Sequence, residues 1–196
     1  MIPPGAKLEA VIAPGVALYD VSHLLPRGKH RRATRRPKGQ RIDAAFVHHS
    51  GALGMPGFEG LRRAVLFMTQ QRDFPASGYH GWIPRDPVRD AEGRLVLFRA
   101  VPDDVRAWHS GARANDRGVG FSIQGNTSKL PLSPSQVEIL EALIPWLAEH
   151  YGWTWADIRS WLGWHSIADR WGGRRKAACP GRDAERWLRG YVERAA

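Results

Sequence analysis

Residues 42–50 read IDAAFVHHS. A short apolar run that ends in polar residues is expected to be a buried β-strand running into a loop. Two histidines, His48 and His49, close it. Neighbours on a strand point to opposite faces, so only one of the pair can look into a given site, and periodicity does not say which.

Downstream, the pattern alternates between helix and strand signals. GFEGLRRAVLFMTQQRDF (57–74) spaces Leu61, Val65 and Met68 along one helix face. GYHGWIPRD (78–86) and GRLVLFRAV (93–101) read as two strands joined by a polar turn, and GVGFSIQGN (118–126) as another short strand. SPSQVEILEALIPWLAEHYG (133–152) starts with Ser133 as N-cap and Pro134 at the first helical position, with Pro145 as a candidate kink. TWADIRSWLGWHS suggests a short helix and a strand, and GRDAERWLRGYVERA an amphipathic closing helix. The expected class is α/β: a single domain with a central mixed β-sheet flanked by α-helices.

Upstream, RGKHRRATRRPKGQR (27–41) is a dense basic run without an acid. Such runs are usually solvated, and an anchoring role on an anionic surface is the alternative. It divides the chain into a basic N-terminal arm, 1–41, and a main domain, 42–196. The 196 residues suit one domain, and a 43% hydrophobic share is enough for a core. A net charge of +10 points to an anionic partner: nucleic acid, acidic lipid or cell-wall polymer. No run approaches the roughly 18 apolar residues of a membrane span. The N-terminus has no basic leader, and Pro14 and Gly15 break its apolar stretch, so synthesis without a signal peptide, in the host cytoplasm, is expected.

One cysteine, Cys179, excludes a disulfide scaffold. A thiolate with two imidazoles is a good zinc set, and three protein ligands with an open fourth position suit a catalytic zinc better than a structural one. The candidates are Cys179, His165 and one of His48 and His49. A buried cysteine acting as a small hydrophobe, and a metal-free Cys–His nucleophile pair, are the competing readings.

Five stretches occur in order: FVHHSGA, SGYHGWIPRD, AWHSGARANDRGVGFSIQGN, LSPSQVEILEALIPWL and GWHSIAD…RRKAACPG. Together they resemble the zinc-dependent N-acetylmuramoyl-L-alanine amidases of the amidase-2 and peptidoglycan-recognition-protein family, which includes phage amidase lysozymes. The resemblance covers roughly residues 42–190. It implies His48, His165 and Cys179 as Zn2+ ligands, Tyr79 beside the scissile carbonyl, and Lys176 as oxyanion stabiliser. The spacing from Lys176 to Cys179 is one residue longer than in the phage enzymes, which keeps Arg175 in view. WHSGARAN resembles a stretch lining the substrate groove and implicates His109 and Asn115. Ser122 stands where the cell-wall-recycling branch carries a catalytic glutamate, which argues for the phage-type site.

The reaction so implied is hydrolysis of the bond between N-acetylmuramic acid and L-alanine of peptidoglycan, by an endolysin that acts on the wall after release. The alternatives are a non-catalytic peptidoglycan-binding module of the same fold and an antibacterial amidase toxin. The basic arm adds anionic surface polymers or lipids as partners. Nucleic acid is the weaker candidate, because it would not need the three ligands, and a monomer is expected.

Overall fold

Among the described residues, seven strands form one mixed sheet, in which residues 44–49 are flanked on both sides by strands from the C-terminal half of the chain. A computed structural model of the chain describes residues 1–29, 33–51, 54–154, 162–165, 167 and 178–194. The strands are β1 (Lys7–Ala13), β2 (Val16–Asp20), β3 (Ala44–His49), β4 (Gly81–Ile83), β5 (Leu95–Arg99), β6 (Gly118–Ile123) and β7 (Leu162–Trp164). Their order is β1-β2-β5-β4-β6-β3-β7. β3 lies between β6 and β7 and is parallel to both. The helices are α1 (Gly57–Gln71), α2 (Ala112–Arg117), α3 (Pro134–His150) and α4 (Arg182–Arg194).

The sheet separates two apolar layers, as the α/β expectation requires. Ala45, Val47, Val119, Phe121 and Ile123 pack with Ile139, Leu140, Leu143, Ile144 and Leu147 of α3 and with Ala184 and Leu188 of α4. Trp82, Val96 and Phe98 pack on the other side with Leu61 and Val65 of α1. Ala44 and Phe46 meet Ala114 of α2. This partition settles the histidine pair. His49 follows the odd-numbered residues toward α3, and His48 follows Ala44 and Phe46 to the opposite face. α3 starts as the sequence predicts, with Ser133 as N-cap and Pro134 in the first turn, and Gln136 adds the reciprocal bond of a capping box. Pro145 lies inside the helix, which continues to His150.

The N-terminal 41 residues do not form a separate arm. β1 and β2 pair antiparallel across Pro14-Gly15, and β2 runs parallel to β5 in register from Val16↔Leu95 to Asp20↔Arg99. Val16, Ala17 and Leu18 are buried. The fold therefore begins near Lys7, because the first strands cover apolar residues of β5 that would otherwise form an open edge.

Part of the basic run is also built in. Residues 34–36 lie antiparallel to 104–106, with Arg36 N–H on Asp104 O at 2.7 Å and Arg106 N–H on Thr34 O at 2.8 Å. Arg36 is only 8% exposed. Its guanidinium donates to the carbonyls of Asp103 (2.8 Å), Gly118 (2.7 Å) and Asp116. A buried guanidinium needs such acceptors, since its five N–H groups have lost their water. This corrects the reading of the run as a purely solvated segment.

Candidate active site

His48 is fully buried at the end of β3 and opposite Ser122 of β6, which in turn lies opposite Trp82 of β4. These three side chains form one row on the α1 side of the sheet. β7 ends at Trp164, the register partner of Val47, so His165 emerges beside His48. His48 Nδ1 lies 3.2 Å from His165 Nδ1 and 3.7 Å from Cys179 Sγ. Ligand atoms of all three residues lie within 4.8 Å of one another, and all three are buried.

These distances can be tested against a metal. Ligand bonds of about 2.05 Å to nitrogen and 2.3 Å to sulfur at tetrahedral angles separate two nitrogens by about 3.3 Å and a nitrogen from a sulfur by about 3.6 Å. The observed 3.2 and 3.7 Å fit that geometry. Two imidazoles and a thiolate suit a borderline-soft ion.

Cys179 sits in the turn before α4, and residues 126–132 clamp that turn. Thr127 Oγ1 donates to Pro180 O, Asp183 N–H to Thr127 O at 3.0 Å, and Leu132 N–H to an Asp183 carboxylate oxygen at 2.8 Å. His49 supports the same clamp, with Nδ1 3.3 Å from Thr127 N. Burial pulls the His49 pKa down, so it is a neutral acceptor there. Gly181 has φ +94°, and a Cβ there would run into Thr127 Oγ1 and His49 Nδ1. Thr127 was not singled out in the sequence; no local pattern marks a residue that acts on a turn 53 positions away.

Tyr79 precedes β4, partly exposed, with its ring centroid 5.2 Å from that of His48. Burial of the phenol, then the charge on Cys179, pushes its pKa well above the ordinary tyrosine value, and the Ser122 hydroxyl pulls the other way. The phenol therefore keeps its proton and can donate. His80, whose ring lies edge-on to that of His109, is a structural residue. Its Nδ1 accepts from Gly120 N–H at 3.0 Å, and Nε2 lies 3.1 Å from Val105 O.

His109 and Asn115 are buried, 5% and 8% exposed, and hydrogen-bonded to protein partners. Asn115 Oδ1 accepts from Ser110 N–H at 2.7 Å and Gly111 N–H at 3.0 Å. His109 Nδ1 lies 3.2 Å from His48 Nε2. Burial holds the His109 pKa well below the usual value, so the ring is neutral. Lys176 and Arg175 lie outside the described residues, as do Trp155, Trp161 and Trp171.

The amidase-2 family model, described as N-acetylmuramoyl-L-alanine amidase, matches residues 38–182. No curated protein matches the chain. Among solved structures, the endolysin N-acetylmuramoyl-L-alanine amidase LysCS from Clostridium intestinale URNW aligns with a TM-score of 0.62 and 20% identity, over 90% of this chain and 95% of that one. Drosophila PGRP-LB aligns with a TM-score of 0.62 and 16% identity, over 85% and 88%. A mutant of PGRP-LB in complex with tracheal cytotoxin aligns with a TM-score of 0.62 and 17% identity, over 86% and 91%. At such identities the likeness is one of fold.

Proposed function

The chain belongs to the amidase-2 family of N-acetylmuramoyl-L-alanine amidases, and from that premise we propose that it is a zinc-dependent hydrolase of the amide between N-acetylmuramic acid and L-alanine of peptidoglycan. The convergence of His48, His165 and Cys179 on one point, with Tyr79 beside it, carries this reading. These three residues would hold zinc. Bound there, zinc supplies Lewis-acid polarisation of the carbonyl and acidifies water to a pKa of about 7.

The rest of the site acts through position and hydrogen bonding. Tyr79, which keeps its proton, donates to the carbonyl oxygen as charge develops on it. Lys176, on the strength of the sequence resemblance, or Arg175 beside it, adds positive charge on the same oxygen. The leaving group is the amine of L-alanine. The net charge of +10 favours accumulation on an anionic wall. Action there as a phage endolysin, after release from the host cytoplasm, belongs to the same proposal.

A non-catalytic binding module is the second reading, favoured by the likeness to a structure that contains tracheal cytotoxin. Mass spectrometry of purified peptidoglycan after incubation distinguishes the two. Free stem peptides with a new L-alanine amine, lost with a chelator and in Cys179→Ala, are expected. An intact wall in the presence of zinc-loaded protein would replace the enzyme with the binding module.

A further inference from the structure

The resemblance assigns His109 to the substrate groove, but its place in the fold suits another task. The ring is packed against Phe46, with centroids 5.3 Å apart, and edge-on to His80 at 5.9 Å. A Cβ on Gly120 would stand 2.6 Å from His109 Cγ, so the glycine of β6 leaves room for the imidazole. The Asn115 clamp on Ser110 and Gly111 fixes the loop that carries it.

The hydrogen bonds around the ring have one consistent direction. His109 Nε2 lies 3.4 Å from Gly118 O, and a carbonyl can only accept, so Nε2 carries the hydrogen. His48 can present Nδ1 to a metal only with its hydrogen on Nε2. His109 Nδ1 then accepts from Ser110 Oγ–H at 3.0 Å and from His48 Nε2 at 3.2 Å. The Nδ1 lone pair of His48 then faces His165 and Cys179.

We propose that His109 is a positioning residue that fixes the tautomer and ring orientation of the metal ligand His48, as the middle member of a Gly118 O–His109–His48 chain. Ligating histidines commonly donate their second N–H to a carboxylate, carbonyl or water, and loss of that partner lowers metal affinity. Here the partner is a second imidazole. The chain extends to the basic run, because Arg36 donates to the same Gly118 carbonyl at 2.7 Å and helps hold it in place. The inference rests on the reading of His48 as a ligand.

The test is competition for zinc between the protein and a chromophoric chelator, for wild type, Cys179→Ala, His109→Leu and His109→Asn. Leucine fills space without an acceptor, whereas the asparagine carbonyl can stand where Nδ1 does. His109→Leu should bind zinc about 10- to 100-fold more weakly, and His109→Asn should recover most of the loss. If wild type and Cys179→Ala bind zinc alike, the ligand reading itself fails. If Cys179→Ala loses zinc but folded His109→Leu does not, only the positioning role fails. Two-bond 1H–15N spectra of the wild-type histidines provide a check that needs no stable variant. Protonated Nε2 and bare Nδ1 on both His48 and His109 are expected, and Nδ1–H on either ring would overturn the proposal.

Discussion

Arg35 and Arg36 are adjacent in the same basic run, yet the structure gives them opposite weights. The Arg35 side chain is 80% exposed and pairs with Asp104 at 2.6 Å, itself 53% exposed. Such a pair is worth less than about 1 kcal/mol. Arg36 is buried and donates to three carbonyls. Each hydrogen bond from a charged donor contributes about 1.5–3 kcal/mol net. Not all of that is lost on removal, since Asp116 O keeps Gln40 Nε2 at 2.8 Å and Gly118 O keeps His109 Nε2 at 3.4 Å. Burial also costs the guanidinium solvation and pulls its pKa down, with Asp103 opposing that shift. Arg36→Met should therefore destabilise by about 3 kcal/mol, which for a chain of this size lowers Tm by about 6–12 °C. Arg35→Met should shift it by less than about 3 °C. Urea unfolding followed by tryptophan fluorescence measures both, and the Arg35 effect alone should fade at high salt. Equal shifts for the two variants, or a loss below about 1 kcal/mol for Arg36→Met, would refute the claim that this part of the run is a structural element.

Three further outcomes are expected. Burial alone would raise the Asp103 pKa, but Arg99 at 2.6 Å, with His150 and Tyr151, overrides it and holds the carboxyl well below the usual range. The unfolded chain then takes up the proton first as pH falls, so this stability is present above about pH 4 and lost below it. Asp103→Asn should cost about 3–5 kcal/mol at neutral pH and flatten the acid limb of a stability–pH curve; an unchanged limb would assign acid unfolding elsewhere. Tyr79→Phe should lower the cleavage rate about 10²- to 10³-fold with zinc affinity unchanged, measured by muropeptide release and chelator competition. Gly181→Ala should weaken zinc binding, because φ +94° and contact with Thr127 and His49 both resist a side chain; wild-type affinity in that variant would show that the Cys179 turn does not need the Thr127 clamp.

Much of the fold was readable because its signals are local. The N-cap at Ser133, the short apolar run of 42–50 and the helical spacing of Leu61 and Val65 each depend on residues within a turn or two. The hairpin at 7–20 was also written locally, in two apolar runs around Pro14-Gly15, but the basic run after it drew the domain boundary to the wrong side. Charge composition does not distinguish a guanidinium that meets three carbonyls from one that meets water. Arg36 and Arg35 look alike in the sequence for that reason.

At the site, the sequence determined the donor chemistry: one thiol, and imidazoles among which strand alternation allows only one of His48 and His49 to face a given point. Periodicity left that choice open and the family resemblance named His48; the tertiary structure supplies the physical reason, turning His48 and not His49 toward His165 and Cys179. That choice depends on which face α3 covers, and on β7 and the turn before α4 arriving at the same edge of β3 from more than a hundred residues away. The tertiary structure also brought His109 between His48 and the Gly118 carbonyl, a contact that no local pattern in the sequence marks. Local sequence sets what a side chain can donate or accept, and packing sets what it meets.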